Sequence, residues 1–167
     1  YGKHGVTLHL GQPVIEIDRQ AREVVTTSGR HAYDVLVLTT GSFPFVPPIP
    51  GCEGNARLVY RTLDDLDAIR AAAVGVRRGV VVGGGLLGLE AANALKSLGL
   101  EAHVVEFAPR LMPVQLDADG GAALRARIEA LGVGVHTSRA TQNVEAGETH
   151  RYRMNFDGGE SLETDLI

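Results

Sequence analysis

Cysteine is scarce in this sequence. Among its 167 residues there is one cysteine, Cys52, and there is no tryptophan. A disulfide framework, a CxxC redox pair and a cysteine-based zinc site each need at least two cysteines, so none can form within the chain. The six histidines show no metal-ligand spacing. We therefore predict no metal site, and so low a cysteine content favours a reducing compartment, the cytoplasm.

Positive charge and long apolar segments are also scarce. The formal net charge is −4, and the only lysines are Lys3 and Lys96. Without a Lys/Arg cluster, a nucleic-acid partner is not expected. The longest apolar run, from Gly79 to Leu89, is 11 residues long, whereas a membrane span needs about 20. The composition is instead that of a globular protein with no membrane partner.

The N-terminal part of the chain predicts β-structure. Residues 6–10, 13–17 and 23–27 are short, β-branched and separated by turn residues, which predicts a three-stranded meander. Residues 34–39 are almost continuously apolar, so we expect a strand that is buried on both faces. The chain begins with Tyr1 instead of Met and ends within an apparent strand, so we interpret it as part of a longer protein.

A stiff segment follows. Four prolines between Pro44 and Pro50 lack amide hydrogens and favour extended conformations in their neighbours. This segment is the best candidate for a domain boundary. We divide the chain into three parts: a β-rich part at 1–43, a proline-rich crossover at 44–57 and an α/β part at 58–167.

The last part predicts a Rossmann-like α/β fold. Thr62 and Asp65 match a capping box at the start of a helix. Strands and helices then alternate, as expected for a parallel sheet with flanking helices, and the chain ends in an antiparallel hairpin. The predicted strands and helices are strand 79–83, helix 86–98, strand 102–106, helix 118–131, and strands near 133–136, 139–145, 150–156 and 164–167.

A glycine-rich turn lies between the first of these strands and its helix. Gly83 permits a sharp turn, Gly85 lets a phosphate approach the backbone, and Gly88 lets the helix pack closely on the strand. Free amides and the helix dipole favour an anion there. We therefore predict that a dinucleotide pyrophosphate binds at Gly83, Gly84, Gly85, Leu86, Leu87 and Gly88.

An acid at the end of the next strand completes the pattern. Glu106 comes eighteen residues after Gly88, where a carboxylate accepts hydrogen bonds from an adenosine ribose. The carboxylate would repel a 2′-phosphate, which favours NADH over NADPH, although Arg110 could partly offset that repulsion. The motif alone leaves FAD open as the nucleotide. It also leaves open a nucleotide-binding module without redox chemistry.

Three stretches together resemble the FAD-dependent pyridine nucleotide-disulfide oxidoreductases. They are GGGLLGLE at 83–90, YDVLVLTTG at 33–41 and PPIPG at 47–51. Thr39 stands where that family usually has Ala. The resemblance covers essentially the whole chain. In that family the NADH domain is inserted into the FAD domain, and NADH passes a hydride to the flavin.

The resemblance implies further sites. Residues 1–43 correspond to part of an FAD domain, in which Thr40 and Gly41 lie beside the flavin and the Val14 backbone meets its adenine. Glu90 lies near the nicotinamide, on the first turn of its helix. The family's FAD-binding glycine turn has no counterpart here. We therefore expect the chain alone to hold no FAD and to oxidise no NADH, and we assign no catalytic residue.

Within the family, the nitrite-reducing branch is the most similar. The matching stretches are 41–51, 59–66 and 104–117. This similarity implies that electrons pass through acceptor domains of a parent chain, with siroheme and an iron–sulfur cluster, to reduce nitrite to ammonia. Ferredoxin reductases, rubredoxin reductases and NADH oxidases share the motifs more loosely and remain alternatives. A homodimer is also left open.

Overall fold

The structure is a computed structural model that describes residues 4–54 and 57–167. Contacts between Cα atoms divide the chain into two compact units, of which the first ends at Ser42 and the second runs from Phe43 to Ile167. No helix in the described part of the chain is both long and apolar enough to cross a membrane.

The first unit contains an antiparallel meander, as predicted, and two of its three strands lie where they were predicted, at 13–17 and 23–27. Its strands are β1 (Val14–Asp18), β2 (Glu23–Thr26) and β3 (Gly29–Ala32), in that order. The prediction of a strand at 6–10 is wrong. The third strand lies after β2 because Thr26 closes a tight turn. Its hydroxyl accepts the Ser28 N–H and donates to the Gly29 carbonyl oxygen.

The predicted buried strand at 34–39 is also absent. These residues form no strand in the described chain, and Val35, Val37 and Leu38 are 81%, 74% and 65% exposed. A strand buried on both faces needs hydrogen-bonded neighbours at its edges and a packing layer on each side. The described residues provide neither for this segment.

The second unit contains the predicted parallel sheet. Its strands are β4 (Arg78–Val82), β5 (Glu101–Val105) and β6 (Gly134–His136), in that order. The helices are α1 (Leu63–Ala72), α2 (Leu86–Ser97) and α3 (Ala118–Ala130). The capping box of α1 is present, since the Thr62 hydroxyl accepts the Asp65 N–H and the Asp65 carboxylate accepts the Thr62 N–H.

A second, antiparallel sheet follows. It has three strands, β7 (Thr141–Ala146), β8 (Tyr152–Phe156) and β9 (Ser161–Thr164), so it extends the predicted hairpin. The strand predicted at 164–167 is wrong in position, because Gly159, with a φ of 78°, turns the chain back along β8. Beyond β9, Leu166 makes an isolated parallel bridge to Gly79 at the edge of β4.

The parallel sheet is packed on both faces. Side chains alternate between the faces of a strand. One face contributes Ala102, Val104 and Val135 to a core shared with α2. The opposite face contributes Val80 and Val105 to a second core with Val144, Met154 and Phe156 of the antiparallel sheet. The unit therefore has three layers, and the carboxyl ends of β4 and β5 emerge side by side from a rigid centre.

The proline-rich segment joins this second unit. The Val144 N–H donates to the Pro50 carbonyl oxygen at 2.8 Å, and Cys52 is buried in the core between the two sheets. The C-terminal part of the segment is thus packed against β7.

Glu163 on β9 organises the loop between β7 and β8. Its carboxylate accepts hydrogen bonds from the backbone N–H groups of Glu148, Thr149 and His150 and from the guanidinium of Arg153. Above all, the N–H groups of Glu148 and Thr149 lower the pKa of Glu163 to about 2. Because this pKa is depressed in the folded chain, the ionised Glu163 carboxylate stabilises the fold. That contribution is complete above about pH 4.5 and is lost as the pH falls through about 2.

We predict that Glu163→Gln removes part of this acid sensitivity. The free energy of unfolding of the variant should be lower than that of the unaltered chain at neutral pH, and it should fall less steeply as the pH decreases from about 5 to about 2.5. Urea unfolding across that range measures both quantities. The exposed Glu53→Gln is the control. Parallel curves for the unaltered chain and Glu163→Gln would contradict this role.

Candidate dinucleotide-binding site

The glycine turn joins β4 to α2. Gly83 has a φ of 114°, a conformation that side-chain-bearing residues rarely adopt. Its N–H donates to the Val105 carbonyl oxygen at 2.8 Å, so the turn starts directly beside the end of β5. Gly88 lies so close to the turn that a Cβ there would clash with the Gly83 oxygen. The predicted structural roles of these two glycines are confirmed.

The N-terminus of α2 opens towards free space. Gly85 is the N-cap residue, and a Cβ at this position would meet no atom within 4 Å. The N–H of Leu89 is the first to make a helical hydrogen bond, to the Gly85 oxygen at 3.0 Å. The N–H groups of Leu86, Leu87 and Gly88 therefore precede the helical ladder, as at every helix start. Such groups can bind an anion.

Gly84 is held from both sides. Its N–H donates to Glu106 Oε2 at 2.6 Å, and its oxygen accepts the Met112 N–H at 2.9 Å. A Cβ on Gly84 would lie 2.7 Å from a methyl carbon of Leu111, which is fully buried. Sequence reasoning did not identify this arrangement. The loop from Glu106 to Asp117 packs over the turn and fixes its central peptide.

Glu106 lies where the sequence predicts an acid, directly after β5. It is only 5% exposed, and its other oxygen, Oε1, accepts the Ala108 N–H at 2.8 Å. Both carboxylate oxygens therefore accept a backbone hydrogen bond. The role of Glu106 towards a ribose stays a prediction.

Arg110 shapes the loop that follows Glu106. Its Nε donates to the Leu116 oxygen at 2.9 Å, and one terminal nitrogen donates to the Pro113 oxygen at 3.1 Å. Its side chain packs over Gly121 of α3. Two nitrogens of Arg110 thus already donate to backbone carbonyls. This leaves fewer of its N–H groups to bind a 2′-phosphate. Phe107, which sequence reasoning overlooked, is 77% exposed beside the acid.

Glu90 lies farther along the helix than predicted. It is the fifth residue of α2, so it belongs to the second turn and not to the first. Its side chain is exposed, and its role near a nicotinamide stays a prediction. The three residues predicted to contact FAD, namely Val14, Thr40 and Gly41, all lie in the first unit. They are exposed, and Gly41 has a φ of 74°.

A cavity of about 300 Å³ runs beside α2 in the second unit. Its lining is predominantly apolar and includes Val81, Leu87 and Ala91. Phosphate groups are expensive to bury in apolar surroundings. This cavity therefore does not suit a pyrophosphate, and the pyrophosphate site at the N-terminus of α2 stays a prediction.

Two histidines meet on the parallel sheet. His103 Nδ1 is 3.0 Å from His136 Nε2, and His103 Nε2 is 3.1 Å from Glu101, which pairs with Arg78. Burial lowers the pKa of His136, and His103 and nearby arginines lower it further. In the described part of the chain, no group of three or more His, Cys, Asp or Glu side chains could hold a metal ion.

Comparison with known proteins adds to this geometry. Residues 2–167 match the family model of the pyridine nucleotide-disulphide oxidoreductases. The chain is 58% identical over its whole length to the large subunit of a nitrite reductase [NAD(P)H] from Klebsiella oxytoca. It spans only 18% of the length of that relative.

Solved structures share the fold. A ferredoxin reductase from Rhodopseudomonas palustris is 28% identical, with a TM-score of 0.81 over 95% of this chain and 39% of that one. The water-forming NADH oxidase of Lactobacillus brevis, bound to NADH, is 27% identical, with a TM-score of 0.75 over 93% and 35%. An engineered five-residue mutant of that oxidase, described as an NADPH oxidase, is 25% identical, with a TM-score of 0.79 over 99% and 38%.

A substitution of Leu111 tests how the loop from Glu106 to Asp117 packs against the turn. We predict that Leu111→Ala lowers the free energy of unfolding by about 2–5 kcal/mol, because it leaves a cavity in a fully buried position. Leu131→Ala, at a site that is 59% exposed, should cost less than about 0.5 kcal/mol. Urea denaturation measures both. Equal costs for the two variants would show that Leu111 does not support the turn.

Proposed function

Because the chain belongs to the pyridine nucleotide-disulphide oxidoreductase family, we propose that it forms the NADH-binding part of a flavin-dependent reductase, which passes a hydride from NADH to FAD. One observation carries the proposal. The open N-terminus of α2, which would suit an anion, lies beside a carboxylate at the end of β5, which would suit a ribose. This pairing suits a dinucleotide.

The residues present fit NADH. The amides of Leu86, Leu87 and Gly88 would bind the pyrophosphate, and the free space over Gly85 would admit it. An ionised carboxylate offers about four lone pairs. Two of those on Glu106 accept protein N–H groups, so two remain for ribose hydroxyls. Glu90, one turn farther along α2, is our candidate for the nicotinamide end.

The first unit would contribute part of the flavin site. Val14, Thr40 and Gly41 would lie against FAD, and the exposed apolar side chains of Val35 and Val37 would be covered by the remainder of an FAD domain. When bound, FAD would accept the hydride and pass electrons onward. The second unit's single glycine turn is used for NADH in this proposal, so another part of the parent protein would hold the flavin phosphates.

For the acceptor we propose nitrite, reduced to ammonia. The 58% identity to a nitrite reductase large subunit supports this choice. Siroheme and an iron–sulfur cluster do not fit the described residues, which contain no metal-binding group, so they would belong to other domains of the parent. The structural similarity to a ferredoxin reductase and an NADH oxidase favours those activities as the alternative.

The sequence of the parent protein would separate these candidates. An FAD-binding glycine turn outside this chain would support the flavoenzyme, and its absence would favour a nucleotide-binding module without redox chemistry. Cysteines spaced for siroheme and iron–sulfur ligation would support nitrite reduction. Their absence would favour the ferredoxin reductase or NADH oxidase activity.

We further propose that NADH is preferred to NADPH. The engineered NADPH oxidase was changed at a glycine, at an aspartate eighteen residues later, at the next two residues and at a proline five residues further on. In this chain the residues at the same intervals are also a glycine, an acid, two further residues and a proline: Gly88, Glu106, Phe107, Ala108 and Pro113. An acid at the second of these positions would repel a 2′-phosphate.

We predict that Glu106→Ala weakens NADH binding by about 1.5–3 kcal/mol, the usual value of hydrogen bonds to a charged group. It should also narrow the preference for NADH over NADPH. Adding Phe107→Arg should then favour NADPH, because the guanidinium would meet the 2′-phosphate. Isothermal titration calorimetry with both cofactors measures these changes.

Val74→Arg, which adds the same charge at a distant exposed site, is the control and should leave the preference unchanged. If Glu106→Ala left the affinities for both cofactors unchanged, the assignment of Glu106 to the ribose would be wrong.

A further inference from the structure

We propose that Glu106 is also a positioning residue for the pyrophosphate site, because its carboxylate holds the glycine turn in place through the amide of Gly84. This effect is separate from any contact between Glu106 and the ribose. The inference rests on the proposed function, in which the turn binds NADH, and it assigns to one side chain a second task in that binding.

The geometry of the carboxylate supports this role. Its Oε2 accepts the N–H of Gly84, 22 residues earlier in the sequence, at 2.6 Å, and its Oε1 accepts the Ala108 N–H in its own loop at 2.8 Å. Only 5% of Glu106 is exposed. Hydrogen bonds to an ionised acceptor are shorter and stronger than neutral ones. These two bonds hold the turn against the end of β5.

The backbone of Glu106 is itself fixed. Its N–H donates to the His136 oxygen at 2.8 Å, and its oxygen accepts the Arg139 N–H at 3.0 Å. The carboxylate therefore extends from a point anchored to the end of β6. It connects the glycine turn to the centre of the parallel sheet.

Gly84 transmits this constraint to the cofactor amides. It is buried, its N–H is bound by Glu106 and its oxygen is bound by the Met112 N–H. The next residues along the chain, Gly85 and Leu86, begin α2. If Oε2 were lost, the buried Gly84 N–H would lack an acceptor, at a cost in free energy. The peptide would rotate to recover one and would displace the amides that follow.

A ligand without the ribose hydroxyls, tested on a neutral isostere of Glu106, separates the two tasks. Glu106→Gln keeps the shape of the side chain but replaces one acceptor oxygen with an NH2 donor, which cannot accept a backbone N–H. The ligands are NADH and an NADH analogue whose adenosine ribose lacks both hydroxyls. We expect the variant to bind each ligand at least about tenfold more weakly than the unaltered protein does. A residue that acts only through the ribose hydroxyls would affect NADH alone.

Two controls accompany this measurement. Met154→Ala removes a buried side chain of β8, a strand that contributes no residue to the turn, so it should lower stability but leave both affinities unchanged when they are measured on folded protein. Asp67→Asn removes an exposed carboxylate from α1 and should change neither quantity. Together the two controls distinguish loss of the hydrogen bond between Gly84 and Glu106 from general destabilisation and from the loss of one negative charge.

Amide hydrogen exchange of the unaltered, cofactor-free protein provides a second test that does not depend on a variant. The Gly84 N–H should exchange about as slowly as the Leu89 N–H inside α2. Exchange as fast as that of an exposed amide such as Gly41 would overturn the proposal, as would undiminished binding of the dideoxyribose analogue by Glu106→Gln. If the unaltered protein bound no NADH, the proposed function would itself fail, and this inference would fail with it.

Discussion

The hydrogen bond from the Gly84 amide to the Glu106 carboxylate joins the ends of two neighbouring parallel strands. The register of β4 and β5 makes it possible, because Val82 pairs with Val105 and the chain leaves both strands at the same edge of the sheet. Ligands of open α/β sheets bind at this edge. A tight turn alone would place the start of α2 only approximately. The carboxylate fixes the turn relative to the neighbouring strand.

The rest of the second unit keeps those strand ends in place. The parallel sheet has the helices on one face and an antiparallel sheet on the other. Close packing on both faces resists displacement of β4 or β5. Above the sheet, the buried Leu111 lies against Gly84, and Arg110 bonds to the carbonyls of Pro113 and Leu116. The loop over the turn is therefore held by its own backbone as well as by packing.

Local patterns in the sequence were sufficient to predict most of this unit. The apolar run of β4, the capping box of α1 and the spaced glycines each depend on residues close together in the chain. The strand predictions at 6–10 and 34–39 failed because an apolar pattern indicates that a strand would be favourable but does not supply its partner. Periodicity also could not show that Gly84 must be glycine, because the groups that crowd it come from Glu106 and Leu111.

The same long-range contacts change what the acid at the end of β5 can do. The sequence alone predicts that Glu106 is a carboxylate whose hydrogen-bonding partner is a ribose. In the structure each of its two oxygens accepts a backbone N–H, and only 5% of the residue is exposed. The two donors fix the position of this carboxylate beside the N-terminus of α2. If Glu106 also binds the ribose, one carboxylate makes both the contact that selects the cofactor and the contact that shapes the phosphate site. A substitution of Glu106 must therefore alter both contacts.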